Sequence, residues 1–156
     1  MLAAGAQAPD FELPDIAGAK WTLGESLKRG CVLVVFFKVS CPTCQLTFPF
    51  LERLAASVTP AAPQLVAVAQ DDAAGVTQFQ QRFHVSMRTL LDVPRSWPVS
   101  NAFRISNVPS IFLIEPEGRI SLAVDGFSKA GLEELGTRFG TAPFRPDENV
   151  PVFRPG

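Results

Sequence analysis

Cys41-Pro42-Thr43-Cys44 is the stretch of this chain whose residue types and spacing together specify a reaction. Two cysteines at positions i and i+3 lie one turn apart on the same face of a helix, close enough to close a disulfide ring. The species that attacks a disulfide is the thiolate, and a free cysteine, with a pKa of about 8.5, is mostly protonated at neutral pH. If Cys41 is the N-cap of a helix and Pro42 its first residue, the sulfur faces unpaired N–H groups and the positive end of the helix dipole, which favours the anion. Cys41 is then the nucleophile and Cys44 the resolving thiol that displaces whatever Cys41 has captured. Such an exchange needs no metal and no organic cofactor.

Val108-Pro109 supplies a second part of the site. A proline entering a strand is tolerated when its peptide is cis, which turns the backbone toward the sulfurs. Val108 can then offer backbone hydrogen bonds to an extended substrate. A CxxC pair can also be half of a zinc site, but that needs further ligands, and the chain offers only Cys31 and His84 besides. Cys31 opens an apolar run and reads as a small core residue. His84, the only histidine, reads as a surface or packing residue.

The elements that must hold these residues are written in the hydrophobic pattern. Cys31 to Phe37 is uninterrupted apolar sequence, rich in β-branched and aromatic residues, as in a strand buried on both faces. After Lys38-Val39-Ser40 and the motif, Leu46, Phe50, Leu51 and Leu54 recur at helical spacing down to about Val58, with Pro49 inside, where its ring should kink the axis. Leu65 to Ala69 is a second buried strand. Asp71-Asp72 caps a helix whose Val76, Phe79 and Phe83 face inward. A short strand at Arg88 to Leu91 and a short helix at Val99 to Phe103 lead to Val108-Pro109.

Ile111–Ile114 and Ile120–Val124 are then strands joined by Glu115-Pro116-Glu117-Gly118, an antiparallel hairpin, and Lys129 to Phe139 is the last helix. Ahead of the core, residues 8–23 read as a β-hairpin extension. The pattern is α/β, with one mixed sheet and helices on both faces. Residues 1–139 form one domain, and residues 140–156, with four prolines, read as an extended surface tail. Phe36, Phe37, Phe48, Phe50, Phe79 and Phe83 are expected in the core, whereas Phe127 and Phe144 are not assigned.

Composition narrows the function. A chain of 156 residues supports one core, and 47% hydrophobic with 19% charged residues is the balance of a globular protein. A net charge of −1 without a basic run argues against nucleic acid. The longest apolar run falls far short of the roughly 20 residues that span a bilayer, so membrane insertion is not expected. Met1 to Pro9 lacks a basic n-region and an apolar h-region, which points to the cytoplasm, or to the periplasm if a leader has been removed. Three cysteines, only two of them closely spaced, suit a redox pair better than a secreted disulfide framework.

Ala8-Pro9-Asp10-Phe11, the strand running into Cys41-Pro42-Thr43-Cys44, Val108-Pro109, and Phe112-Leu113-Ile114 followed by Gly118-Arg119-Ile120 together resemble the thioredoxin superfamily. Within it they resemble the redoxin branch shared by TlpA-like thiol-disulfide oxidoreductases and the AhpC/TSA group. The resemblance covers most of the chain. It implies a thioredoxin-like fold, a nucleophile at Cys41, a resolving thiol at Cys44 and a cis-proline at Pro109.

The chain departs from the thioredoxin pattern in two places. The buried acid expected on the strand before the motif falls at Val35, and the residue before the first cysteine is Ser40 rather than tryptophan. Another base is therefore needed for Cys44. TlpA-like proteins often place an acid just after the second core strand, where this chain has Gln70 and Asp71, so Asp71 is the candidate. Lys38, in the loop before the motif, brings a charge that favours the thiolate.

The expected activity is reduction or exchange of disulfides in proteins or small thiol compounds, with a thioredoxin-type or membrane reductase as the reducing partner. A peroxiredoxin-like peroxidase is the alternative. Peroxiredoxins usually carry a threonine three residues before the peroxidatic cysteine, a position held here by Lys38 before Cys41 and by Cys41 before Cys44. A binding module that keeps the fold while its cysteines stay inert is the third reading.

Overall fold

A computed structural model describes residues 1–57 and 59–156. Two short strands, β1 (Glu12–Pro14) and β2 (Lys20–Thr22), pair antiparallel with Leu13 opposite Trp21, both buried. A short helix α1 (Leu23–Leu27) follows. The core then runs β3 (Val32–Phe37), α2 (Pro42–Ala55), β4 (Gln64–Ala69), α3 (Ala73–Phe83), β5 (Arg88–Leu91), α4 (Pro98–Ala102), β6 (Ser110–Ile114), β7 (Ile120–Asp125), β8 (Phe127–Ser128), α5 (Lys129–Phe139) and β9 (Phe153–Arg154).

The main sheet has the order β5-β4-β3-β6-β7. β3 lies at its centre, parallel to β4 and antiparallel to β6, and all six of its residues are buried. β4 and β5 are parallel and β6 and β7 antiparallel, so the sheet is mixed as the pattern requires. Alternation along β3 sends Phe37 against Phe48 of α2 and Phe79 of α3, with ring centroids 4.6 and 5.1 Å away. Phe36 points to the opposite face, against Phe103 at the end of α4, 5.0 Å away. Phe11, beside the N-terminal hairpin, closes over Phe103 there. Helices thus cover both faces, and each buried phenylalanine contributes on the order of 2 kcal/mol of apolar transfer.

Local chemistry sets the helix ends. Asp72 caps α3 by accepting from the Gly75 amide at 2.8 Å, and His84, exposed, closes it with a left-handed backbone, φ 53°. Ser128 caps α5, which Gly140 ends at φ 69°. α2 passes through Pro49 and ends at Ala55, short of the expected Val58, which lies outside the described residues.

Three features depart from the pattern. α1 is a five-residue turn of helix, too short for a periodic signal. Cys31 is half-buried, just before the start of the central strand, rather than fully in the core: its thiol donates to Glu115 at 3.0 Å, and the guanidinium of Arg138 lies 3.4 Å from its sulfur. The segment after α5 makes contacts that the pattern does not show. Phe144 packs on Phe50 and Phe127, Glu148 forms a two-pronged ion pair with Arg53 at 2.6 Å, and β9 pairs with β8. Two-residue strands leave no alternation to read. Among the described residues, no helix is long and apolar enough to cross a membrane.

Candidate redox-active site

The site forms where the C-terminal end of β3 meets the start of α2. Cys41 is the N-cap of α2, its backbone extended (φ −77°, ψ 117°), and Pro42 occupies the first turn, where a missing N–H costs nothing. The Cys44 amide donates to Cys41 Sγ at 3.2 Å, so the sulfur takes the place of a capping oxygen. Cys41 is half-exposed and Cys44 fully buried, both as free thiols. The two sulfurs therefore differ in access: a dissolved disulfide meets Cys41 first.

Burial pushes the Cys44 thiol far above the ordinary thiol range. The Lys38 backbone offsets part of that rise, while neighbouring Cys41 and the negative charge of Asp71 add to it. Cys44 is thus held as a neutral thiol until a base takes its proton. Asp71, half-buried just past β4, accepts a 2.8 Å hydrogen bond from the Val39 amide, which ties it to the loop that carries the motif. It reaches Cys44 through its field rather than through a hydrogen bond.

Lys38 has a partner of its own. Its ammonium sits over the indole of Trp97, 4.8 Å from the ring centroid, and the Trp97 ring N–H donates to the Gln70 carbonyl at 3.1 Å. The lysine thus braces the strand-to-motif loop against the segment before α4. Sequence spacing does not reveal that partner, because the two residues lie on separate elements.

The Val108–Pro109 peptide is cis, and both residues are buried. The Val108 carbonyl accepts the Cys41 thiol at 3.2 Å, and the Pro109 carbonyl accepts from the Gly126 amide at 2.8 Å. Lys38, Gln70, Ile105, Ser106, Asn107 and Val108 line a small cleft on this side. Thr43, buried inside the motif, donates through Oγ1 to the Pro155 carbonyl at 2.7 Å. Sequence reasoning missed that contact, since nothing in the proline-rich segment marks it as a partner of the motif. His84 and Cys31 stand apart from the site. Among the described residues, no group of three or more His, Cys, Asp or Glu side chains is placed to hold a metal ion.

A half-exposed thiol at a helix start, a buried thiol one turn on and a cis-proline beside them are a working arrangement for thiol chemistry. Comparison with known proteins agrees. The AhpC/TSA family model matches residues 4–123, most of the chain. The chain belongs to the AhpC/TSA family. It is 29% identical over 123 residues to the thiol-disulfide oxidoreductase ResA of Bacillus subtilis (strain 168), which covers 78% of this chain and 67% of that protein.

Among solved structures, the thioredoxin domain of a thiol-disulfide oxidoreductase from Bacteroides vulgatus matches with a TM-score of 0.76 at 22% identity, over 89% of this chain and 99% of that one. The peroxidoxin BcpB of Mycobacterium tuberculosis matches with a TM-score of 0.75 at 19% identity, over 90% and 97%. At those identities the likeness is one of fold, and it is thioredoxin-like. Because the same backbone serves a disulfide oxidoreductase and a peroxidoxin, the fold alone does not choose between them.

Proposed function

We propose that this protein is a thiol-disulfide oxidoreductase that works through Cys41 and Cys44. The observation that carries the reading is the asymmetry of the pair: an accessible sulfur capped by the amide of a buried one. The Cys41 thiolate attacks one sulfur of a substrate disulfide, that S–S bond breaks, and the first substrate thiolate leaves. Cys44 gives up its proton, attacks Cys41 Sγ and releases the second substrate thiol. Two electrons pass to the substrate, and the protein is left with a Cys41–Cys44 disulfide. A reductase of thioredoxin type, or one in a membrane, restores the dithiol.

Each remaining residue has a part. Pro42 starts the helix, Thr43 links the motif to the Pro155 carbonyl, and Val108 and Pro109 offer the backbone edge on which an extended protein substrate lies. Lys38, held over Trp97, keeps the loop before Cys41 in place. Asp71 accepts the Cys44 proton, a reading supported by its place just past β4, where the Val39 amide ties it to the loop that carries the motif. Cytoplasmic residence belongs to the same proposal, and trapping the thiol state in cell fractions tests it.

The test is reduction of insulin disulfides by the reduced protein. Turnover that is lost in Cys41→Ser supports the proposal. Consumption of hydrogen peroxide instead, abolished by the same substitution, would establish the peroxidase, and inertness toward both would leave a binding module.

A further inference from the structure

The segment Phe153–Gly156 lies against the motif. Beyond its pairing with β8, the Pro155 carbonyl takes the hydrogen bond from Thr43, and Gly156 approaches Val108 so closely that a Cβ there would stand 2.3 Å from the Val108 carbonyl oxygen. That oxygen is the one that accepts the Cys41 thiol. On its other side the segment rests on Gly126, where a Cβ would meet the Arg154 carbonyl oxygen at 2.4 Å. An extended peptide laid along Val108 needs the same space.

The hold is uneven along the segment. Up to Val150, the chain is fixed by the Arg53–Glu148 fork, by Phe144 on Phe50 and by the half-buried Val150 itself. From Pro151 to Gly156 every residue is exposed, Val152 at 79% and Phe153 at 56%, so little apolar area resists detachment. What remains is two residues of strand pairing, the Lys129 amide on the Val152 carbonyl at 3.0 Å and the Thr43 bond. Such weakly buried edges open at low cost.

We propose that Phe153–Gly156 is a strap that sets substrate selectivity: a small disulfide reaches Cys41 with the strap seated, whereas a peptide disulfide must first displace it from Val108. This rests on the disulfide-reductase reading above.

Deleting the chain from Val152 onward tests it, with a cysteine-bridged peptide and hydroxyethyl disulfide as the two substrates. The peptide rate should rise roughly tenfold, as when about one molecule in ten has the edge open beforehand, while the small disulfide changes less than about twofold. An equal change for both, no change, or a slower peptide overturns the strap. If neither protein reduces hydroxyethyl disulfide, the reductase reading itself fails and the strap falls with it.

A second measurement keeps the full chain, in case the shortened one does not fold. In Cys44→Ser, Cys41 attacks a peptide whose cysteine is activated as a thionitrobenzoate disulfide: the Cys41–peptide disulfide forms and thionitrobenzoate leaves. With the peptide attached, the Lys129 amide should lose its protection from hydrogen exchange. Unchanged protection overturns the proposal.

Discussion

The Cys41 thiol donates a 3.2 Å hydrogen bond to the Val108 carbonyl, which joins the start of α2 to the residue before the cis-proline. The two are 67 positions apart in the chain, and the sheet brings them together because β3 and β6 are antiparallel neighbours. On the proposed function, the thiol that attacks and the backbone edge on which the substrate lies are thereby one unit.

The order of attack follows from access. Cys44→Ser should accumulate a mixed disulfide between Cys41 and an added peptide disulfide, because the group that releases it is gone. Cys41→Ser should form none, since Cys44 is fully buried. Intact mass under non-reducing conditions reads both, and an adduct on Cys44 in Cys41→Ser would refute the ordering.

Asp71→Asn keeps an oxygen for the Val39 amide but loses the proposed base. Release of the mixed disulfide should slow by about 100-fold at neutral pH, within the usual range for a general base, and recover as hydroxide rises. Single-turnover release followed across pH measures this. A profile that matches the unsubstituted protein would remove Asp71 from the mechanism.

Cys44 also ties stability to pH. Its folded-state pKa is raised by burial, so the fold favours the neutral thiol. That contribution is complete below the ordinary thiol range and is lost as pH climbs above about 8.5, at up to about 1.4 kcal/mol per pH unit. Urea midpoints taken from neutral to alkaline pH should therefore fall more steeply for the reduced protein than for Cys44→Ala. Parallel curves would contradict the assignment.

Support for the site extends to Asp92, a fully buried carboxylate that accepts from the Ser100 amide at 2.7 Å and the Ser100 hydroxyl at 2.8 Å. It holds the start of α4 beside Trp97, on which Lys38 rests. Asp92→Ala strands those donors and should cost about 2–3 kcal/mol, with Asp92→Asn costing less, as read by thermal unfolding. Equal loss in the two would show that acceptor oxygens at this position matter little.

Long apolar runs made the core legible. The run from Cys31 to Phe37 carries the signature of a buried central strand, Lys129 to Phe139 reads as the last helix, and the motif announces itself by spacing. The start of the central strand was harder to read: Cys31 continues the apolar run, yet it ends among Glu115 and Arg138, where the strand enters the core. Lys38 was legible as a charge near the motif, but not in its direction, because a long flexible side chain follows its tertiary partner. The Thr43–Pro155 contact and the pairing of Phe127–Ser128 with Phe153–Arg154 join segments too short to carry periodicity. Residues around the chemistry were thus visible one by one, and their contacts were not.

On the proposed function, Cys41 is the reactive sulfur of the pair. Timed iodoacetamide labelling of the reduced protein at neutral pH, resolved by peptide mass, reads this for both sulfurs at once. Cys41 should be modified well before Cys44 and faster than an unperturbed thiol. Labelling of Cys41 at the rate of an ordinary cysteine, or modification of Cys44 first, would contradict it.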